Sequence, residues 1–467
     1  MDKFKRVYDM NALQKTLIAF TGALLLGAIW RMRGSGGFGS FWGMLAVACV
    51  YCFFLYLLFG EAQKITWGLF GVLVLAMAVT VDGWGTIVGQ VTGRLHSWGP
   101  GDAAAYDVAV NPIMGWVWLI IIGLGWLPLF AFLIAQIFSE KSYSFKEFLV
   151  LTAIFYLVLY LGELVFSHLL IPLISPDAYA LYANSLVDAT PWQDYLLNFK
   201  NQSYYETIAG GRNYAAMVSN LSKAIGALAI GLWVALKHKD AKTTKLYFGI
   251  IIIFGLSMSA SNIFQFLGRG CLYDFAAESG TCTAPEWLRQ DHWGLWEYGT
   301  GFLAGLGITA LLMATPPPEK VQHADTEDEE SKNLIPKEHH QIFAVFSLGL
   351  LILSIIRPIG SRLENDVFIE ATVAPIVYGI GALVGFPLLF WYYKRTKAAD
   401  FERSNKRLLL KYSAVLLVVC ISIFAIVDLF FYHDTEIIFR FTTQWLILLS
   451  WLASFLFIPL IFKWKTV

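Results

Sequence analysis

Long apolar runs separated by shorter polar segments dominate the pattern of this chain. About 20 consecutive apolar residues in a helix cross the hydrocarbon core of a bilayer, so each run is a candidate membrane-spanning helix. The pattern predicts an all-α, polytopic integral membrane protein with about twelve transmembrane helices. We place the spans at residues 13–31, 38–59, 66–87, 112–137, 146–172, 215–236, 246–267, 294–314, 341–357, 366–393, 408–432 and 436–462.

The composition agrees with a membrane protein and excludes other classes. Of the 467 residues, 57% are apolar and only 15% are charged, whereas a soluble domain carries about a quarter charged residues. The formal net charge is zero, so no nucleic-acid partner is expected. The Cys and His spacings do not match a zinc site, and we expect no metal and no other cofactor. No protein partner is identified.

The distribution of Lys and Arg predicts that both termini are cytoplasmic. With the N-terminus inside, 23 of these residues fall in cytoplasmic segments and nine in outer segments, as the positive-inside rule requires. The basic N-terminus is like that of a signal peptide. However, the first run ends in Trp30-Arg31-Met32-Arg33 rather than in a cleavage site, so we expect an uncleaved helix. The predicted location is the plasma (inner) membrane.

Segment 315–340 differs in kind from the apolar runs around it. It begins with three prolines and is rich in Asp and Glu between residues 325 and 330, which is typical of a disordered linker. It divides the chain into an eight-span membrane part, residues 1–314, with outer loops rich in Gly, Arg and Trp, and a four-span part, residues 341–467.

Arginine is concentrated on the predicted outer side, where the basic residues are eight Arg and one Lys. A guanidinium fork suits phosphate, sulfate or carboxylate, so the excess indicates anion recognition, although ion pairs with outer-loop acids account for some of it. The glycines after Arg33 could form an anion nest or a re-entrant hairpin in the headgroup layer. The candidate anion-binding residues are Arg31, Arg33, Gly34, Gly36, Gly37, Arg94, Arg212, Arg269, Arg357 and Arg362.

Strongly polar side chains within the predicted spans fall in the outer half of the membrane. Ionisable residues at such depths are costly and tend to mark a site or a pathway, although ion pairs such as Lys223 with Glu297 would also explain them. The residues concerned are Asp82, Glu163, His168, Lys223, Asn262, Gln265, Glu297, Glu370, Asp428, Arg440 and Gln444. This distribution predicts a cup that opens in the outer leaflet.

The favoured function is an integral-membrane transferase, or a hydrolase, acting at the outer leaflet on an anionic, phosphate-bearing lipid or a lipid-linked sugar. Arginine would stabilise a phosphate leaving group, and a His or Glu would activate an acceptor hydroxyl. The candidate catalytic residues are His96, Glu163, His168, His292 and Glu297. Cys271 and Cys282 lie in the same outer loop, where a disulfide could persist.

Two other functions remain open at this point. A transporter or flippase for an anionic or sugar-like solute also has many spans, but its site should lie near the midplane with a path to both faces. A non-catalytic membrane assembly subunit is the second alternative. In that case the outer loops would bind a partner protein.

Overall fold

A computed structural model describes residues 7–33, 41–60, 65–81, 85–96, 106–139, 141, 143–315, 334–335, 337–365, 373–396, 406–430 and 442–466. The predicted nest at Gly34, Gly36 and Gly37 lies outside these residues, as do Asp82, Glu370 and Arg440 of the predicted polar set. Most of the linker, residues 316–333, also lies outside them.

The described residues are almost entirely helical. The helices are α1 Ala12–Met32, α2 Phe41–Phe59, α3 Trp67–Ala78, α4 Pro112–Trp126, α5 Pro128–Ile137, α6 Phe145–Leu161, α7 Ser167–Ile174, α8 Pro176–Asn184, α9 Pro191–Leu197, α10 Gln202–Glu206, α11 Gly211–Trp233, α12 Ala241–Ser261, α13 Ile263–Gly268, α14 Glu286–Ala314, α15 His340–Asn365, α16 Val373–Arg395, α17 Lys406–Phe430 and α18 Thr442–Thr466. The prediction of an all-α polytopic membrane protein is therefore confirmed.

Ten helical segments of the described chain are long and apolar enough to cross a membrane. Helices α4 and α5 bend by 53° at Leu127 and would form an eleventh span as a broken pair. All these segments overlap predicted spans. The predicted span at 66–87 differs, since its regular helix α3 has only 12 residues and the 3₁₀ helix Gly85–Thr92 follows after a gap. A 12-residue helix is about 18 Å long, too short to cross alone.

Helices α1 and α14 pack more closely than ordinary side chains permit. A Cβ at Gly301 would lie 2.4 Å from the Leu26 carbonyl oxygen, and one at Gly305 would lie 2.4 Å from the Gly22 carbonyl oxygen. Glycine therefore brings the two backbones into contact, the usual role of a Gly-x-x-x-Gly pair in membrane helices. This contact holds the ends of α1 and α14 in fixed register.

Two small hairpins interrupt the helical bundle at one end. Strand β1, Arg94–His96, pairs antiparallel with β2, Asp107–Ala109, and β3, Tyr273–Asp274, pairs with β4, Ser279–Gly280. Cys271 and Cys282 form a disulfide bond across the base of the second hairpin. We call this the pocket end of the bundle.

The opposite end of the bundle is organised around Asp240, the N-cap of α12, and we call it the Asp240 end. Its carboxylate accepts hydrogen bonds from Ser139 Oγ at 2.5 Å, Tyr143 OH at 3.2 Å, and the Thr243 amide at 3.0 Å and hydroxyl at 2.7 Å. Burial acts to raise the pKa of Asp240, but these hydrogen bonds together lower it below its ordinary value.

The expectation that buried polar residues lie only near the outer face needs one correction. Gln136 is buried one turn before Ser139, at the Asp240 end, and was missed because it lies at the very end of a predicted span. The side chain of Asp428, on α17, lies outside the described side chains.

Replacing Asp240 by alanine should destabilise the protein by about 1–3 kcal/mol, because it leaves buried donors without their acceptor. Thermal unfolding in detergent should show the loss, with Asp188→Ala, in an exposed bend, as the matched control. Since the folded pKa is lowered, the stabilisation is complete above the ordinary Asp pKa and is lost as the pH falls through the folded value. The difference from wild type should stay constant from pH 8 to 6 and shrink only below about pH 4.

Candidate functional site

An open pocket of about 670 Å³ lies at the pocket end of the bundle. It lies where β1, the end of α13, the β3–β4 hairpin and the start of α14 meet. The residues that line it are Thr92, Arg94, His96, Gly268, Arg269, Tyr273, Glu278, Ser279, Gly280 and His292. Four candidates from separate parts of the sequence, Arg94, His96, Arg269 and His292, are thus brought together.

Arg269 contributes a buried positive charge to this pocket. Its Nε donates to the neutral amide oxygen of Gln265 at 3.1 Å, and its guanidinium lies over the Trp293 ring, 5.1 Å from the centroid. Burial lowers its pKa to about 10, which leaves it protonated at neutral pH. Gly89 makes room for the group, since a Cβ there would lie 2.8 Å from Arg269 Nη1. A charge held in this way favours an anion in the adjoining pocket.

The hydrogen bond of His292 determines which of its ring nitrogens carries the proton. Its Nδ1 lies 2.8 Å from the backbone oxygen of Arg289. A carbonyl oxygen can only accept, so Nδ1 carries the proton and Nε2 of the neutral ring carries a lone pair. Gly268 allows the close approach, because a Cβ there would lie 2.2 Å from His292 Cβ. The ring can therefore accept a proton through Nε2.

Arg94 has a different environment in the same pocket. Both arms of its guanidinium bond Asp107 across the β1–β2 hairpin, and the group lies 3.9 Å from the centroid of the Tyr273 ring. Its charge is largely offset by that carboxylate. Arg94 therefore joins the two hairpins at the edge of the pocket.

Arg31, Arg33 and Glu297 form a second group, buried below the pocket end. Arg33 Nη2 lies 3.4 Å from Glu297 Oε1, and Arg31 Nη1 lies 3.9 Å from Oε2. The Arg33 side chain is fully buried and that of Glu297 is 3% exposed. The positively charged partners of Glu297 are thus two arginines. The sequence analysis had considered an ion pair with Lys223 instead.

Aromatic rings close the space beneath this ion cluster. The guanidinium of Arg33 lies 4.9 Å from the Trp30 ring centroid and 5.8 Å from that of Trp126. Both indoles are fully buried and also contact Phe254. The described residues at this level therefore form a packed layer rather than an open path.

Glu163 and His168 form a third group, away from the pocket. Glu163 pairs with Lys200 at 2.6 Å, and His168 Nε2 donates to the Glu163 carbonyl at 2.9 Å. His168 Nδ1 is bonded to the Tyr214 hydroxyl. Both ring nitrogens of His168 are engaged in these contacts, which stabilise the π-helical turn Gly162–Phe166 between α6 and α7.

The remaining arginine candidates lie apart from one another. Arg212 is exposed near the start of α11. Arg357 on α15 contacts the Tyr378 hydroxyl and lies 5.6 Å from the Trp42 ring centroid. Arg362 is also on α15, but its side chain lies outside the described side chains.

Sequence reasoning missed several residues around the site, including Thr92, Ser279 and Gly280 of the pocket lining. Tyr273 and Glu278 belong to the disulfide-closed hairpin, and Glu278 has a left-handed backbone with φ 53°. Asp291 and Thr443 join the start of α14 to the start of α18. The adjacent acidic and histidine residues at 291–292 were a sequence signal for Asp291. Nothing in the sequence indicated its contact with Thr443, which lies 152 positions away.

No protein-family model, curated protein or solved structure matches this chain. Among the described residues, no group of three or more His, Cys, Asp or Glu side chains is placed to hold a metal ion. The pocket and the charges around it are therefore the features of this chain that bear on its function.

Gly268→Ala should disturb the pocket, because the new methyl group would overlap His292. We expect a loss of about 1–3 kcal/mol in stability, the usual cost of overpacking. Gly379→Ala is the matched control, since nothing lies within 4 Å of its Cβ position and alanine favours the helix. Equal thermal stability of the two variants would contradict the packing at His292.

Proposed function

We propose that this chain is an integral-membrane transferase that acts at the outer leaflet of the plasma membrane on an anionic, phosphate-bearing lipid or lipid-linked sugar. In this proposal it has twelve spans and cytoplasmic termini. The observation that carries the proposal is one pocket that holds a buried arginine and a histidine with a proton-accepting nitrogen, Arg269 and His292.

The phosphate of the substrate binds beside Arg269. The amide of Gln265 and the ring of Trp293 orient the guanidinium at the pocket wall. Such a preorganised cation stabilises negative charge that develops on a phosphate leaving group. A volume of about 670 Å³ is within the range that accommodates a lipid headgroup with an acceptor.

His292 acts as the general base. The acceptor hydroxyl gives its proton to Nε2, and its oxygen forms a bond to the carbon that carries the phosphate. The bond from that carbon to the phosphate oxygen breaks, and the phosphate leaves with the electron pair toward Arg269. The backbone carbonyl of Arg289, which accepts from Nδ1, keeps the ring in the required tautomer.

The packed layer of Trp30, Trp126 and Phe254 supports a reaction at one face of the membrane rather than transport across it. A transporter needs a site near the midplane with access to both faces. The pocket lies at one end of the bundle, above that layer. Chemistry in this pocket needs access from one side only.

The orientation of the bundle is tested by cysteine labelling. Asp188→Cys, at the pocket end, should react with an impermeant maleimide added to intact cells. Lys239→Cys, beside Asp240, should react only after permeabilisation. Cys49, Cys52 and Cys420 are buried and Cys271 is paired with Cys282, so background labelling should be low. The reverse pattern would place the pocket in the cytoplasm and overturn the proposal.

Loss of transfer in an Arg269 variant is the direct functional test. Proteoliposomes with an isoprenyl-phosphate-linked sugar and an added alcohol as the acceptor should release isoprenyl phosphate, measured by mass spectrometry. Arg269→Ala and His292→Ala should each lower the rate by about 100-fold or more. Arg395→Ala is the matched control, since that arginine is exposed at the end of α16 and does not line the pocket.

Equal rates in Arg269→Ala and Arg395→Ala would contradict the assigned anion site. Wild-type protein that accumulates the sugar or its phosphate inside the vesicles, with no product formed, would favour a transporter instead.

A further inference from the structure

We propose that Asp291 is a positioning residue for His292, and that the N-terminus of the last helix, α18, holds it in place. This inference depends on the proposed function only for the role of His292 as a base. The placement of His292 itself can be measured without any substrate.

The backbone of α14 is not helical at Asp291, where φ is −126° and ψ is 19°. Helix α14 therefore has a kink directly before His292. A kink changes the direction in which the next side chains point, so the conformation at Asp291 decides where the His292 ring lies. In the structure the ring lies at the pocket wall.

The kink is held from outside α14. Asp291 Oδ2 accepts a hydrogen bond of 2.7 Å from the backbone N–H of Thr443, in the first turn of α18. This amide is one of those at a helix N-terminus that have no partner within their own helix, so a carboxylate is the acceptor it favours. Thr443 Oγ1 also accepts from Arg31 Nε at 3.3 Å.

The junction is compact because residue 294 is glycine. A Cβ at Gly294 would lie 2.2 Å from Asp291 Oδ1, 2.6 Å from Arg31 Nε and 2.8 Å from Thr443 Oγ1. Groups from α14, α1 and α18 therefore converge on the space that a side chain would fill. Arg31 also faces Glu297, so the junction adjoins the buried ion cluster.

The backbone of His292 is also held by Gln265, on α13. Its backbone oxygen accepts from Gln265 Nε2 at 3.4 Å, and the same Gln265 amide accepts from Arg269 Nε. The base and the anion-binding arginine are thus connected through one amide. Movement of the kink at Asp291 would change both the direction of the ring and its distance from Arg269.

The test measures how fast diethyl pyrocarbonate modifies His292, read by peptide mass spectrometry on the full-length protein in nanodiscs. Asp291→Ala removes the acceptor. Thr443→Pro removes the N–H donor at a first-turn position where proline is tolerated. Both should change the His292 rate by on the order of tenfold, the population change expected for the loss of a hydrogen bond to a charged group.

Two conservative variants serve as controls. Thr443→Ser keeps the N–H and the hydroxyl, and Asp291→Asn keeps an oxygen that can accept from Thr443. Both should retain the wild-type His292 rate within about twofold. His339, which is exposed before the start of α15, is the internal standard and should react equally in all variants.

An unchanged His292 rate in both Asp291→Ala and Thr443→Pro overturns the positioning role, whatever the transfer activity. A changed rate in both, with wild-type behaviour in the conservative variants, supports it. If the His292 rate changes but the wild-type protein transfers no group, the positioning role stands and the proposed function fails. The two failures are therefore distinguishable.

Discussion

Arginine charge buried at one end of an apolar bundle is the constraint on which the rest of this structure depends. A guanidinium removed from water needs a counter-ion, a neutral acceptor or an aromatic face. Arg33 has Glu297 with Trp30 and Trp126, and Arg269 has Gln265 with Trp293. These requirements bring α1, α13 and α14 together, and glycines permit the close contacts.

The two buried arginines differ in whether they line the open pocket. Arg33 faces a carboxylate inside the bundle, so its role is to hold helices together. Arg269 donates from Nε to the neutral amide of Gln265 and lines the open pocket, so its guanidinium is within reach of a ligand that enters there. This difference separates a structural ion cluster from a binding site, although both consist of the same residue types.

The apolar runs were sufficient to predict the helices, because the cost of backbone in hydrocarbon leaves few alternatives. The third span is the exception, since Gly and polar residues after Ala78 end its regular helix. Sequence reasoning also selected Arg94, His96, Arg269 and His292 but could not group them. It counted Glu163 and His168 as equal candidates, because their contacts with Lys200 and Tyr214 come from distant segments. Pairing of that kind is set by tertiary packing.

The most direct measurement of the central claim is an electron cryo-microscopy map of the protein in nanodiscs that contain a long-chain isoprenyl phosphate. The account predicts phosphate-sized density in the pocket, within hydrogen-bond distance of the Arg269 guanidinium and beside His292. Headgroup density bound at another surface, with this pocket empty at saturating lipid, would contradict it.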